Sequence, residues 1–277
     1  MPLLVTSAHG INGDGYGALL AFDADGKLLG TFCSDRRISD PRGLVVSPDE
    51  GLLFLNSGAD RLLAIDRGGT VVRDTGTIEG LNPGGGNFGR DGRYHVGLRS
   101  ARTIMAFSPK LDAAREAVLP AGVVPFPRGF AFGRDGRLFL ASGMGPDGVG
   151  ENTIVAFDPR GRVLPSWHVR DPELSPLDLA IAPNGNILVS SEQPFATPAA
   201  VTTIREYDAT DGSLVRVFSA DGRAEFGRPR GLRFREDGRL YCVALDEVVA
   251  FDFDTGKCLG AVVQMARLNG QALAFFP

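Results

Sequence analysis

One pattern is stated over and over in this chain, and it constrains the fold more than any other feature. The segments "GLVVSPDEGLLFLNSG" (43–58), "GGNFGRDGRYHVGLR" (85–99), "GFAFGRDGRLFLASG" (129–143), "DLAIAPNGNILVSSE" (178–192) and "GLRFREDGRLYCVAL" (231–245) align with one another. Each holds an apolar run, a short polar turn and a second apolar run. Asp91-Gly92, Asp135-Gly136, Asn184-Gly185 and Asp237-Gly238 supply the positive φ that a tight hairpin needs. A third strand follows each hairpin ("LLAID", "TIMAFS", "TIVAFD", "TIREYD", "VVAFD"), and a fourth follows another turn, as in "TVVRDTG", "GSLVRVFS" and "GKCLGAVV".

Five four-stranded units about 40 to 53 residues apart match the period of a β-propeller. The sixth unit is split. "ALAFFP" (272–277) matches the first strand of the other units, "PLLVTSAHG" matches the second, and "GALLAFDADGKLLGTF" supplies the third and fourth. The sequence therefore predicts an all-β, six-bladed propeller of four antiparallel strands per blade. One blade is shared between the amino and carboxyl ends, closing the ring and removing an open sheet edge. Residues 1–277 read as one domain.

Composition narrows the function classes. A net charge of -4 with 43% apolar residues fits a globular protein and argues against nucleic acid as the partner. Three cysteines without CxxC spacing disfavour a disulfide framework or a structural zinc site. The opening "PLLVTSA" reads as a strand and not as a leader, and no stretch has the length of a membrane span. The expectation is a soluble, cytoplasmic protein that engages no membrane.

The blade motifs "FGRPRGLRFREDGRLYCV" and "PRGFAFGRDGRLFLASG" resemble NHL repeats. More broadly they resemble the six-bladed superfamily that holds the SMP-30/gluconolactonase enzymes, the streptogramin lyases and the peptide-amidating lyase. The resemblance implies that ligands bind where the loops entering the innermost strands surround the channel mouth. It also implies a divalent cation there in the lactonases, held by Glu, Asn and Asp from separate blades. The amino-terminal glutamate of that ligand set is missing here.

The middle position of the Pro-x-Gly element that enters the innermost strands reads Arg42, Gly84, Arg128, Leu177, Arg230 and Gln271 around the ring. Arg42, Arg128 and Arg230 thus come from alternate blades. They either knit neighbouring blades through carboxylates such as Asp178, Glu192 or Asp246, or form a site for carboxylate or phosphate. Asp178 and Asp246 complete the expected ligand-binding ring. For a cation, calcium or zinc, the expected ligands are Asp178, Glu192, Asp246 and Asn269, with Asn56 a further oxygen donor. For catalysis the candidates are His9, as a general base on the mouth side, and Glu192. His95 and His168 fall inside a blade and on an outermost strand, so the histidines do not converge. Ser7, Ser57, Ser142 and Ser191 share one column and read as backbone caps. The long segments 9–17, 143–152 and 192–201 place Tyr16, Met144 and Phe195 as expected walls. Two functional readings follow: a small anionic or polar ligand (or a protein partner) bound at the mouth, or a metal-assisted, lactonase-like hydrolase or a lyase at the same face.

Overall fold

The computed structural model describes residues 1–11, 16–112, 115–143, 152–192, 203–218 and 227–276. Six four-stranded antiparallel sheets stand around a common axis. Counted from the innermost strand outward, blade 1 is Gly43–Val46, Leu53–Ser57, Arg61–Ile65 and Val71–Asp74, and blade 2 is Pro83–Phe88, Tyr94–Leu98, Thr103–Phe107 and Arg115–Ala117. Blade 3 is Pro127–Phe132, Leu138–Ser142, Thr153–Phe157 and Val163–Arg170, and blade 4 is Pro176–Ile181, Ile187–Ser191, Thr203–Tyr207 and Leu214–Phe218. Blade 5 is Pro229–Phe234, Leu240–Ala244, Glu247–Phe251 and Cys258–Gln264. Blade 6 joins the ends, with Leu273–Phe275 innermost, followed by Leu3–Ser7, Ala18–Phe22 and Leu28–Cys33. The register Leu3↔Phe275, Leu4↔Ala274, Val5↔Leu273 is the shared blade that the repeat alignment predicts. No helix long and apolar enough to cross a membrane occurs among the described residues.

The first hairpin of blades 2 to 5 follows one recipe. In blade 3, Gly136 N donates to Gly133 O at 3.0 Å, Gly133 N donates to Arg137 O at 2.8 Å, and the Asp135 carboxylate accepts from Arg137 N at 3.0 Å. Gly136 takes φ 86°, a value with no steric cost only for glycine. The same geometry recurs with Gly92, Gly185 and Gly238. It is a turn closed by a glycine bulge.

The core lies between blades and not within them. Six apolar clusters fill the six gaps between adjacent blades, so every blade face meets a neighbour. A strand covered on both faces has no solvent side on which to alternate. The second strands (LLVTS, LFLNS, YHVGL, LFLAS, ILVSS, LYCVA) are accordingly buried at every position. Tyr94, Phe107, Phe139, Phe157 and Phe251 are among the largest fully buried side chains, each contributing roughly 1.5–3 kcal/mol by burial. The innermost strands touch one another in sequence around the ring and leave a central channel.

Candidate functional site

The channel mouth holds a cavity of about 330 Å³, lined by residues of all six blades. Four of its described arginines come from two structural positions. The first is the middle of Pro-x-Gly, which brings Arg42, Arg128 and Arg230 to the wall as expected. The second is the residue that follows the second strand: Ala8, Gly58, Arg99, Gly143, Glu192 and Leu245 around the ring. Arg99 and Glu192 occupy this position and both line the cavity.

The two positions compensate each other. In blade 3 the pair is Arg128 with Gly143, and a Cβ on Gly143 would lie 2.1 Å from Arg128 Nε. In blade 2 the order is reversed. Gly84 leaves the innermost position open, and a Cβ there would lie 3.4 Å from Arg99 Nε. Arg99 therefore fills, from the second strand, the place that an arginine takes from the first strand in blades 1 and 3. The Pro-x-Gly column alone misses it; reading the two columns together would have found it.

Charge is unevenly neutralised among these groups. The Asp40 carboxylate accepts from Arg42 Nε at 2.7 Å and from Gln271 Nε2 at 2.6 Å, and Arg42 Nη1 donates to Asn82 Oδ1 at 2.6 Å. That guanidinium is satisfied. Arg233 lies deeper on the blade 5 strand, donating to Asp178 Oδ2 at 3.1 Å and to Leu44 O of blade 1 at 2.9 Å. It closes the channel below. Glu192, 3% exposed, is shared by Arg228 at 3.4 Å, Arg230 at 3.4 Å and Arg128 at 3.8 Å. One carboxylate thus faces three guanidiniums. The Arg99 guanidinium makes no hydrogen bond or ion pair with any described residue, and its Nε is sealed from solvent without a partner.

The Phe126 ring lies between two of these cations, 5.5 Å from the Arg99 guanidinium carbon and 5.7 Å from that of Arg128. Burial, followed by the like charges of Arg42 and Arg128, pushes the Arg99 guanidinium down to about 9. It remains a cation at neutral pH. Burial likewise lowers Arg128 and Arg230, with Glu192 opposing the shift in both. Among the described residues, the cavity lining carries five guanidiniums against three carboxylates, a surplus of two positive charges.

The other expected site residues divide. Asp178 and Glu192 line the cavity, whereas Asp246 does not. Asp246 accepts from Asn269 N at 3.2 Å, and Asn269 Nδ2 lies 3.4 Å from His9 Nε2, an exposed pair on the rim. His9 and Glu192 therefore do not meet in the cavity. Asn56 is buried and committed, donating to Gly84 O at 2.8 Å and accepting from Tyr94 Oη at 2.7 Å. The set Asp178, Glu192, Asp246 and Asn269 does not fit a divalent cation. Two members are engaged by guanidiniums, two lie outside the cavity, and the surplus charge repels a cation. Among the described residues no three of His, Cys, Asp and Glu gather as a metal-ligand group.

Remaining placements follow the column reading except at Ser7, whose Oγ is buried and caps no backbone group among the described residues. His95 is buried in blade 2 beside Asp91 at 3.1 Å, and His168 is on the outermost strand of blade 3 against Thr153. Ser57 Oγ accepts from Ser39 N at 3.0 Å and Ser191 Oγ from Ser175 N at 2.8 Å, as backbone caps do. Tyr16 is exposed, with Arg36 at 5.8 Å over its ring, and it does not line the cavity. Met144 and Phe195 lie outside the described residues.

No protein-family model matches the sequence, and no curated protein sequence matches it. Solved structures do match in shape. A gluconolactonase from Xanthomonas campestris superposes with a TM-score of 0.69 at 18% identity, over 99% of this chain and 88% of that one. Virginiamycin B lyase from Staphylococcus aureus gives 0.62 at 16% identity, over 84% and 73%. A chain of the nidogen/laminin complex gives 0.73 at 13% identity, over 98% and 97%. One lactonase, one lyase and one component of a protein–protein complex share this architecture, so the likeness establishes the six-bladed propeller and leaves the activity to the site.

Proposed function

We propose that the protein binds a small organic anion in the cavity at its channel mouth. The observation that carries this reading is Arg99, a guanidinium in the wall without any acceptor among the described residues, in a lining with more cations than anions. An unpaired buried charge is costly to maintain. Guanidinium forks suit carboxylate and phosphate oxygens, and a bound anion would offset the cost. Knitting explains Arg42 and Arg233, whose partners sit in the protein. It does not explain Arg99.

The hydrolase or lyase alternative needs an acid or base free to move a proton at this cavity. Glu192 is held among guanidiniums, and His9 stands on the rim. Binding is the reading the geometry favours. It is tested by melting the protein with phosphate, sulfate and simple carboxylates at fixed ionic strength. A ligand at about 100 times its Kd adds about 2.7 kcal/mol of stability. Stabilisation by an anion that disappears in Arg99→Ala supports the reading, and indifference of the wild type to every anion overturns it.

A further inference from the structure

We infer that the ligand is an organic dianion, a dicarboxylate, spanning the mouth between Arg99 on blade 2 and Arg230 on blade 5. The inference rests on the anion-binding reading above and deepens it. In a ring of six, blades 2 and 5 stand opposite each other.

Among the described residues, the cavity-lining arginines whose Nε is sealed from solvent and has no hydrogen-bond partner are these two. The other arginines of the lining are provided for. Arg42 is saturated by Asp40 and Asn82, Arg233 by Asp178 and two main-chain carbonyls, and Arg128 donates to Pro176 O at 3.3 Å. Arg230 shares Glu192 with two competitors at a loose 3.4 Å, which leaves its fork open to a second carboxylate. The lining therefore offers two separate poles and not one focus.

Charge and size agree with this. The lining surplus of two positive charges is neutralised by a dianion and only half neutralised by a monoanion. A cavity of about 330 Å³ is in the range that holds an organic molecule. The lining also includes Phe126, Leu177, Ala272 and glycine main chain, apolar surface that suits a carbon spacer better than a tetrahedral oxyanion.

Calorimetric titration of the full chain at fixed ionic strength tests the inference. The probes are malonate, succinate, glutarate and adipate, the monocarboxylates of equal carbon number, and inorganic phosphate and sulfate. The expected result is a chain-length optimum, with the best dicarboxylate binding at least about tenfold tighter than its monocarboxylate, the factor that one more charge-assisted contact supplies. Arg99→Gln and Arg230→Gln should each bring that dicarboxylate down to the monocarboxylate level. Arg99→Gln removes no hydrogen-bond or ion-pair partner among the described residues, so its ligand-free melting should be no lower than wild type, and it carries the test even if Arg230→Gln folds poorly. Equal binding of mono- and dicarboxylates, or phosphate binding as tightly as any dicarboxylate, overturns the dianion inference while leaving anion binding intact. Binding of no anion overturns both.

Discussion

Thr6 and Ala272 lie 266 positions apart in the sequence and are joined by three hydrogen bonds. Thr6 N donates to Ala272 O at 3.0 Å, the Thr6 hydroxyl donates to the same oxygen at 3.3 Å, and it accepts from Ala272 N at 2.9 Å. The hydroxyl also accepts from Gln271 N at 3.1 Å. This side chain clasps the two chain ends just above the three-residue register that closes blade 6.

Thr6→Val keeps the shape and removes the clasp. Two buried main-chain donors then lose their acceptor, and stability should fall by about 1–3 kcal/mol in urea unfolding. Removing 271–277 altogether exposes the strand edge of Leu3–Ser7 and the apolar faces on both sides of it. That variant should aggregate in size-exclusion chromatography. A monomer with unchanged melting would contradict the closure.

Arg128 and Arg99 should respond oppositely to truncation. Arg128 is 5% exposed and sits against Glu192 and Pro176 O, so Arg128→Ala should destabilise the ligand-free protein by about 1–3 kcal/mol. Arg99→Ala removes a charge without a partner among the described residues. The ligand-free protein should melt no lower than wild type, and its anion response should be lost.

Gly143→Ala probes the complementarity of the two columns. The new Cβ would lie 2.1 Å from Arg128 Nε, so the guanidinium must move away from Glu192. A cost of about 1–3 kcal/mol is expected from overpacking. Gly58→Ala is the matched control: its Cβ would meet Asp40 Cβ at 2.9 Å instead, so it should leave Arg128 in place.

The histidine inside blade 2 gives a pH signature. Burial lowers His95 below its ordinary pKa and outweighs the Asp91 carboxylate beside it. A histidine that protonates more readily unfolded than folded contributes full stability above its unfolded pKa of about 6.5 and loses it as pH falls below that value. Melting temperature should therefore decline between about pH 7 and 5, above the range where carboxylates titrate. His95→Gln should flatten that segment of the profile.

Thiol labelling should separate the three cysteines. Burial raises the thiols of Cys33 and Cys242, the latter far above its ordinary value, while Cys258 is partly exposed on an outermost strand. In the native protein Cys258 should react first with a thiol reagent, and all three should react after unfolding.

The ring was legible in the sequence because its instructions are local. An Asp-Gly or Asn-Gly pair sets a hairpin through one positive φ and one side-chain hydrogen bond. A run such as "LFLAS" becomes a middle strand because blades cover it on both faces. The split of blade 6 was legible for the same reason, since each half keeps the column of the strand it supplies. The presence of Arg42, Arg128 and Arg230 at the mouth also followed from a column. Their pairing did not. Arg42 is satisfied because Asp40, at φ 40°, turns back towards it, and Glu192 is divided among three arginines from blades 3 and 5. Tertiary structure alone decided that Asp246, Asn269 and His9 stand on the rim, and that the Arg99 guanidinium has no acceptor among the described residues. The surroundings of Arg99 are built by Gly84 of its own blade, Arg42 of blade 1, Phe126 and Arg128 at the start of blade 3, and Arg230 of blade 5. These groups are remote in sequence and meet only when the ring closes. The balance of charge around a group depends on distance and burial, and both are properties of the assembled ring.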